Sequence, residues 1–210
     1  MKKIFYSLFL CLILLIFSCK KQNPTFNISG TVTDKSLNSV LPAATVTFYK
    51  TIAGSSSITK IGSTQTNSEG QYNIEFERDQ SESYSAIIEK ENYFDSKLAI
   101  LFEGLKVGEK NTINFDIYAK SWVKIHLQNL TPEPNDYIII SKQEGKKYCI
   151  GCCDFFEQTI SNIDTTFYCI NNGNSIYSIL YTSFGDNQTK TAIKAITTSS
   201  FDTTELYISY

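Results

Sequence analysis

Apolar and polar side chains alternate one by one along residues 28–76, in the segments ISGTVTD, PAATVTFYK and TQTNSEGQYNIEF. Period-two alternation of β-branched and aromatic residues is typical of half-buried antiparallel strands. Between the last two of these strands, residues 67–70 predict a tight turn in which Gly70 supplies a positive φ. One set of side chains is predicted to face inward: Ile28, Gly30, Val32, Val46, Phe48, Tyr72, Ile74 and Phe76.

Similar alternation recurs through the rest of the chain, and no segment longer than a turn is predicted to be helical. Turn-rich stretches such as residues 104–110, 131–136 and 171–174 separate the predicted strands. The further strands are predicted over residues 83–89, 98–102, 112–118, 121–128, 137–141, 165–170, 175–183, 189–197 and 204–210. This spacing of strands and turns predicts an all-β fold of two β-sandwich domains.

Residues 26–119 resemble the carboxypeptidase regulatory-like domain. The matching positions are Gly30, Val32, Pro42, Ala44, Val46, Thr66, Gly70 and Tyr72. The resemblance implies a seven-stranded sandwich of transthyretin-like type that carries no catalytic residues. That family usually has a glycine in the loop before the proline, whereas this chain has Ser-Val-Leu at residues 39–41. We therefore expect this loop to be built differently.

The N-terminus is predicted to be a lipoprotein signal peptide. Lys2 and Lys3 precede an apolar run over residues 4–17, which is shorter than the roughly 18 residues that span a membrane. The run ends in Ser18 and Cys19, which resembles a bacterial lipobox, although Phe17 departs from its usual small or branched residue. Cleavage after residue 18 would leave Cys19 as a lipidated first residue. The alternatives are an ordinary signal peptide or an uncleaved anchor.

The residues after Cys19 bear on location. In Bacteroidota-type lipoproteins, which the chain resembles, a lysine with acidic residues just after the cysteine resembles a surface-export signal. Here Lys-Lys-Gln-Asn at residues 20–23 has the lysines without the acids. We therefore expect a lipid-anchored protein of the outer membrane or cell envelope that faces the periplasm rather than the surface, with the membrane as a partner through its anchor.

Length and charge limit the possible domains and partners. The 210 residues, 42% hydrophobic, are enough for two packed sandwiches. We predict a signal peptide over residues 1–18, a tether over 19–25, and sandwich domains over 26–119 and 120–210. Loss of Lys2 and Lys3 with the signal peptide leaves 17 basic and 21 acidic residues, a net charge of −4. This acidic balance argues against nucleic acid as a partner. The short join near residue 120 implies that the domains touch.

Four cysteines carry the strongest chemical signal: Cys149, Cys152, Cys153 and Cys169. An envelope compartment permits disulfides, and four cysteines allow three pairings. Pairing the neighbours Cys152 and Cys153 would strain a small ring, so two pairings remain, each linking residues 149–153 to the Cys169 strand. A four-thiolate zinc site is the alternative, but it lacks a second Cys-x-x-Cys. We expect disulfides and neither metal nor cofactor.

The remaining candidates are aromatic residues and one histidine. His126 is predicted to lie on a polar strand face beside Trp122, where one histidine offers little to a catalytic triad. Trp122, Tyr177 and Tyr181 are candidates for a platform that stacks on a sugar or peptide, against the alternative that they are core residues. We therefore predict a binding or scaffolding module for protein or glycan without enzymatic activity. The alternative is a structural subunit of an outer-membrane assembly that contacts its partner through a sheet edge.

Overall fold

The computed structural model describes residues 23–52, 54–55, 57–79, 81–154, 157–161, 164–185 and 188–210. The predicted signal peptide and Cys19 lie outside these residues. The described chain is all-β, as predicted, with a single 3-10 turn at Phe102–Gly104. No helix in the described ranges is long and apolar enough to cross a membrane.

The first half forms two sheets. In sheet 1, β1 is the central strand, with β2 and β5 antiparallel on one side and β8 and β9 parallel on the other. Sheet 2 is antiparallel in the order β4-β3-β6-β7. The strands are β1 (Thr25–Asp34), β2 (Ser39–Val40), β3 (Thr45–Ile52), β4 (Ile58–Gln65), β5 (Gln71–Glu77), β6 (Ser81–Glu89), β7 (Ser96–Ile100), β8 (Lys110–Thr112) and β9 (Phe115–Ile117).

The inner faces of sheets 1 and 2 share one apolar core, which confirms the predicted inward pattern. Phe26 and Ile28 of β1 are fully buried, and so is Phe48 of β3 on the facing sheet. The Phe48 ring lies 6.1 Å from the Phe76 ring of β5. Of the residues predicted to face inward, Gly30 and Ile74 are only partly buried, and Ile74 packs against the core.

The structure explains the backbone at two connections of the first half, the turn at Gly70 and the loop at residues 39–41. Gly70 has φ +70°, as predicted, and a side chain there would meet the Val32 carbonyl oxygen at 2.9 Å. In the loop at residues 39–41, Ser39 and Val40 form β2 and pair with the end of β1. Asn38, with φ +54°, takes the left-handed position of that hairpin.

Several segments differ from the sequence prediction, and two short strands, β2 (Ser39–Val40) and β12 (Gln158–Ser161), were not predicted. β4 (Ile58–Gln65) was not predicted, because as a largely exposed edge strand it lacks an apolar face. The single strand predicted over residues 112–118 is divided into β8 and β9. Between them, Ile113 and Asn114 pass directly over Gly30, and the Ile113 N–H donates to the Ser29 carbonyl oxygen at 2.9 Å.

The second half also forms two sheets around a separate core. Sheet 3 has the order β13-β10-β16, and sheet 4 has the order β12-β11-β14-β15. Val123 and Ile125 of β10 face Ile138 and Ile140 of β11 within this core. The strands are β10 (Lys120–Gln128), β11 (Tyr137–Glu144), β12 (Gln158–Ser161), β13 (Thr165–Asn172), β14 (Ile176–Gly185), β15 (Gln188–Thr197) and β16 (Thr203–Ser209).

The two halves meet at Ala119 and Lys120. The Ala119 carbonyl oxygen accepts the Gly173 N–H at 2.8 Å, and the Lys120 carbonyl oxygen accepts the Phe201 N–H at 2.8 Å. The Phe201 ring lies 5.3 Å from the ring of Tyr93, which is in the turn between β6 and β7 and forms a β-bridge with Ala119. Ala119 is fully buried, so the join is a packed contact rather than a free linker. That each half folds alone stays a prediction.

Candidate functional site

The cysteine loop, residues 145–154, follows β11 and carries both disulfides found among the described residues. Cys149 pairs with Cys152, with a Cα–Cα distance of 5.3 Å. Cys153 pairs with Cys169 of β13, with a Cα–Cα distance of 5.4 Å. The predicted disulfides are confirmed, and the pairing is one of the two that the sequence left open. The thiols that a zinc site would need are used in these bonds, and no described cluster of His, Cys, Asp or Glu is placed to hold a metal.

Local backbone geometry turns the loop back onto β13. Gly145 has φ +124°, and a side chain there would lie 2.7 Å from the Tyr177 ring, so glycine is required. The Asn171 side-chain oxygen accepts the Lys146 N–H at 2.7 Å. The Gly151 carbonyl oxygen accepts the Ile170 N–H at 2.7 Å, which fixes the loop to the outer edge of β13. The loop is thereby fixed at several points besides its disulfides.

A buried lysine holds the loop from inside. The Lys142 side chain is only 1% exposed. Its ammonium donates to the carbonyl oxygens of Lys146 and Cys152 and to a carboxylate oxygen of Asp154, the last at 3.0 Å. Burial lowers the pKa of Lys142 below its ordinary value. The predicted strand over residues 137–141 ended before Lys142, although Ile138, Ile140 and Lys142 share the inward face of β11 at period two.

Asp154 completes this internal network. Burial acts to raise the pKa of its carboxyl group, but hydrogen bonds from the Lys142 ammonium and the Tyr148 N–H outweigh burial, and the pKa lies below its ordinary value. The Asp154 carboxylate thus accepts hydrogen bonds from Lys142 at the base of the loop and from Tyr148 near its tip. Tyr148 keeps φ +61°, a conformation that non-glycine residues rarely adopt and that surrounding contacts must maintain.

The tip of the loop presents large apolar side chains to solvent. Tyr148 is 95% exposed and Ile150 is 99% exposed. Lys146 and Lys147 precede them in the sequence, so the tip combines apolar surface with positive charge. The cysteines of this loop were predicted to matter, whereas Tyr148 and Ile150 between them were not predicted as site residues.

The aromatic platform predicted from Trp122, Tyr177 and Tyr181 is wrong. Tyr177 and Tyr181 lie on the inward face of β14 and are buried in the second core, because β14 is an interior strand of sheet 4. Trp122 alone is partly exposed, on the outer face of β10. A surface ligand therefore cannot stack on the two tyrosines.

The outer face of sheet 3 holds a charged cluster around the histidine. His126 is on the polar face of β10, as predicted, and its Nε2 lies 2.8 Å from an Asp164 carboxylate oxygen. Its Nδ1 lies 3.3 Å from Glu205, which also pairs with Lys124 at 3.1 Å. The hydrogen bond from Lys124 lowers the pKa of Glu205. Lys124 and His126 share the predicted polar face of β10, but Asp164 and Glu205 are distant along the chain, so the cluster itself was not predicted.

Removing the Cys153–Cys169 disulfide is expected to destabilise the second sandwich. The Cys153→Ala/Cys169→Ala variant opens a crosslink that spans 16 residues, which by the chain-entropy argument lowers the free energy of unfolding by about 3 kcal/mol. Cys149→Ala/Cys152→Ala, with a separation of 3, is the matched control and should lose less. Calorimetry with hydrogen exchange measures both. Equal losses in the two variants, or weaker protection of β1 and β3, would contradict the expectation.

Comparison with known proteins defines no family. No protein-family model and no curated protein matches the chain. Among solved structures it is similar to the Bacillus anthracis TIE protein (12% identity, TM-score 0.38), covering 88% of this chain and 34% of that one. It is also similar to GBS52, the minor pilin of Streptococcus agalactiae (9% identity, TM-score 0.37), covering 88% of this chain and 94% of the pilin.

A third similar structure is the Rhodococcus opacus 3-chlorocatechol 1,2-dioxygenase (11% identity, TM-score 0.36), covering 48% of this chain and 62% of the enzyme. This chain therefore spans about a third of the length of the TIE protein and under two thirds of the dioxygenase. Similarity at these TM-scores supports no argument about function. The resemblance of residues 26–119 to the carboxypeptidase regulatory-like domain stays a prediction.

Proposed function

We propose that this protein is a non-catalytic binding module, held at an envelope membrane by a lipid on Cys19, whose cysteine loop docks onto a protein partner. The observation that carries the proposal is the nearly complete exposure of Tyr148 and Ile150 on a loop with two disulfides. The sequence left protein and glycan open as partners. An isoleucine at the tip favours protein, because an aliphatic side chain gains most from an apolar pocket.

Energetics favour this loop as an anchor. Burying a large apolar side chain contributes about 1.5–3 kcal/mol, and tyrosine is enriched among the residues that dominate interfaces. The disulfides, the Lys142 ammonium and Asp154 already fix the loop backbone. Little conformational entropy is then lost on binding, which is the advantage of a pre-organised surface.

The positive charge of the cysteine loop indicates what kind of surface the partner presents. Lys146 and Lys147 precede the tip, and the Lys146 ammonium lies 5.0 Å from the ring centre of Phe94. A complementary partner would present an apolar pocket rimmed by carboxylates. We therefore propose an acidic protein surface as the occupant of this site.

The membrane anchor rests on the sequence. Lys2 and Lys3, the apolar run and Ser18-Cys19 support a lipid-anchored location in the outer membrane or cell envelope. The lysines after Cys19, without acidic residues, support a periplasmic facing. A single tether of this kind would hold the two sandwiches near the bilayer and raise their effective concentration at a partner in the same membrane.

A second candidate function has its own observation. Among the described strands, β15 pairs with β14 alone, over its full ten residues, and Ile193 on it is 65% exposed. An edge of this length can accept a strand from another protein. It supports the rival proposal of a structural subunit that joins an envelope assembly through a sheet edge.

One experiment separates these proposals. Tagged protein is cross-linked in whole cells, purified from solubilised membranes, and its partner is then titrated in purified form against four chains: wild type, Tyr148→Ser/Ile150→Ser, Ile193→Ser and Cys19→Ala. The Tyr148→Ser/Ile150→Ser variant loses both apolar side chains and is expected to bind the partner about 100-fold more weakly, or weaker still. Ile193→Ser should bind as wild type, and Cys19→Ala should leave the membrane fraction.

The outcomes divide cleanly. Unchanged binding by the loop variant together with weakened binding by Ile193→Ser would replace the loop by the β15 edge. Retention of Cys19→Ala in the membrane fraction would overturn the lipid anchor. Equal binding by all four chains would contradict both docking surfaces.

A further inference from the structure

A polar groove crosses the outer face of sheet 1, far along the chain from the cysteine loop. Its volume is about 700 Å³. Strands β5, β1 and β8 place polar residues side by side across it, since Ser29 is paired with Asn73 on one side and with Thr112 on the other. Thr31 and Gln71 form the next row.

Carboxamide side chains dominate this groove. They are Asn27, Gln65, Asn67, Gln71, Asn73 and Asn114. Asn67 is engaged in its own turn, and the Asn114 side-chain oxygen accepts hydrogen bonds from the Thr31 N–H and hydroxyl at 3.0 and 3.1 Å. The other four carboxamides form no side-chain hydrogen bond with any residue that the structure describes. They are free to donate to and accept from a ligand.

The buried Ser29 hydroxyl is a second, independent sign of a ligand. Its oxygen is inaccessible to solvent and has no hydrogen-bond partner among the described residues. A buried hydroxyl without a partner is unfavourable, so such a group needs an explanation. Ser29 lies in the middle row of the groove, between Asn73 and Thr112, and the residue as a whole is only partly buried. Rotation about χ1 would turn its hydroxyl into the groove, where a bound hydroxyl group would supply the missing bond.

We propose that this groove binds an oligosaccharide of neutral sugars. Carboxamides both donate and accept, which suits the paired hydroxyl groups of a sugar, and Lys110 is the one ionisable lysine, arginine, histidine or acid among the described lining residues. The groove is open and its exposed rows are polar, so it offers no apolar pocket for the side chains of a peptide. This glycan site is separate from the protein-docking loop in place and in ligand class.

The test uses full-length detergent-solubilised protein with four probes: maltohexaose, cellohexaose, xylohexaose and chitohexaose. Calorimetric titration is compared for wild type, Asn73→Ala, Ser29→Ala and the control Gln143→Ala, whose carboxamide contacts only Ser141 on β11. We expect at least one probe to bind, with affinity about tenfold weaker in Asn73→Ala and Ser29→Ala. Gln143→Ala should bind as wild type.

The melting temperature of Ser29→Ala distinguishes a hydroxyl that binds a ligand from one that only stabilises the fold. Because Ser29 lacks a partner in the described protein, Ser29→Ala should keep or raise the melting temperature while it weakens binding. A lowered melting temperature would show that the hydroxyl supports the fold instead. Absence of binding for all four probes, equal affinity in Asn73→Ala, or preferred binding of a Gly-Ser peptide of similar length would each overturn the proposal.

Discussion

Replacing Gly30 by alanine is expected to destabilise the first sandwich by about 3 kcal/mol. A methyl group at this position would lie 1.7 Å from the Ile113 carbonyl oxygen, which is backbone and cannot rotate away. That carbonyl also accepts the Tyr72 hydroxyl at 2.7 Å, so moving it would break a partly buried hydrogen bond. Since β8 and β9 flank Ile113, the displacement would disturb both parallel pairings with β1.

Chemical denaturation measures the loss, with Gly104→Ala as the matched control. Gly104 lies in the short 3-10 turn, and a side chain there would meet nothing within 4 Å. Its replacement should leave the midpoint almost unchanged. If Gly30→Ala is as stable as Gly104→Ala, the Ile113 carbonyl group does not lie close to Gly30 in solution.

Replacing Lys142 by methionine is expected to lower the free energy of unfolding of the second sandwich by about 2–3 kcal/mol. Methionine fills similar apolar volume but donates nothing, so the carbonyl oxygens of Lys146 and Cys152 lose their partner. The Asp154 side chain is 34% exposed, so water would partly replace the hydrogen bond that it loses. The loss of stability is therefore smaller than for a fully buried ion pair. The control is Lys124→Met, which breaks a half-exposed ion pair worth under about 1 kcal/mol.

The pH dependence gives an independent measurement on the same residue. Burial lowers the pKa of Lys142 in the folded protein, whereas the unfolded chain keeps the ordinary value of about 10.4. Between these two values the unfolded state binds more protons, so the stability of the second sandwich should rise with pH. Lys142→Met should lack this rise. An identical slope in the two proteins would contradict the assignment of a buried ammonium.

Strands with one buried face were predictable, whereas tertiary contacts that override the local pattern were not. β1, β3 and β5 show their alternation in the sequence because each has a core face and an outer face. Residues 112–118 alternate equally well, yet the chain breaks there to cross Gly30, a contact with a strand some 80 residues earlier. β4 was missed because an exposed edge strand needs no apolar face.

The candidate site was predictable in its chemistry and not in its geometry. Cysteine spacing indicated disulfides and excluded one pairing, but the choice between the other two depends on where Gly151 meets β13. Tyr148 is exposed on a left-handed backbone, a conformation that no propensity predicts for tyrosine. Tyr177 and Tyr181 were misassigned because an aromatic residue at strand spacing suits either face of a sheet.

In each half of the chain, the first strand pairs with the last. β1 pairs in parallel with β8 and β9, and β10 pairs in parallel with β16, so the first strand of each sandwich meets the last. Neither core can therefore be completed until its final strand has left the ribosome, and the contact order is high. Topologies of this kind fold in milliseconds to seconds. That delay would leave the chain extended for longer after synthesis, which is the state in which an unfolded polypeptide can be threaded through a narrow pore.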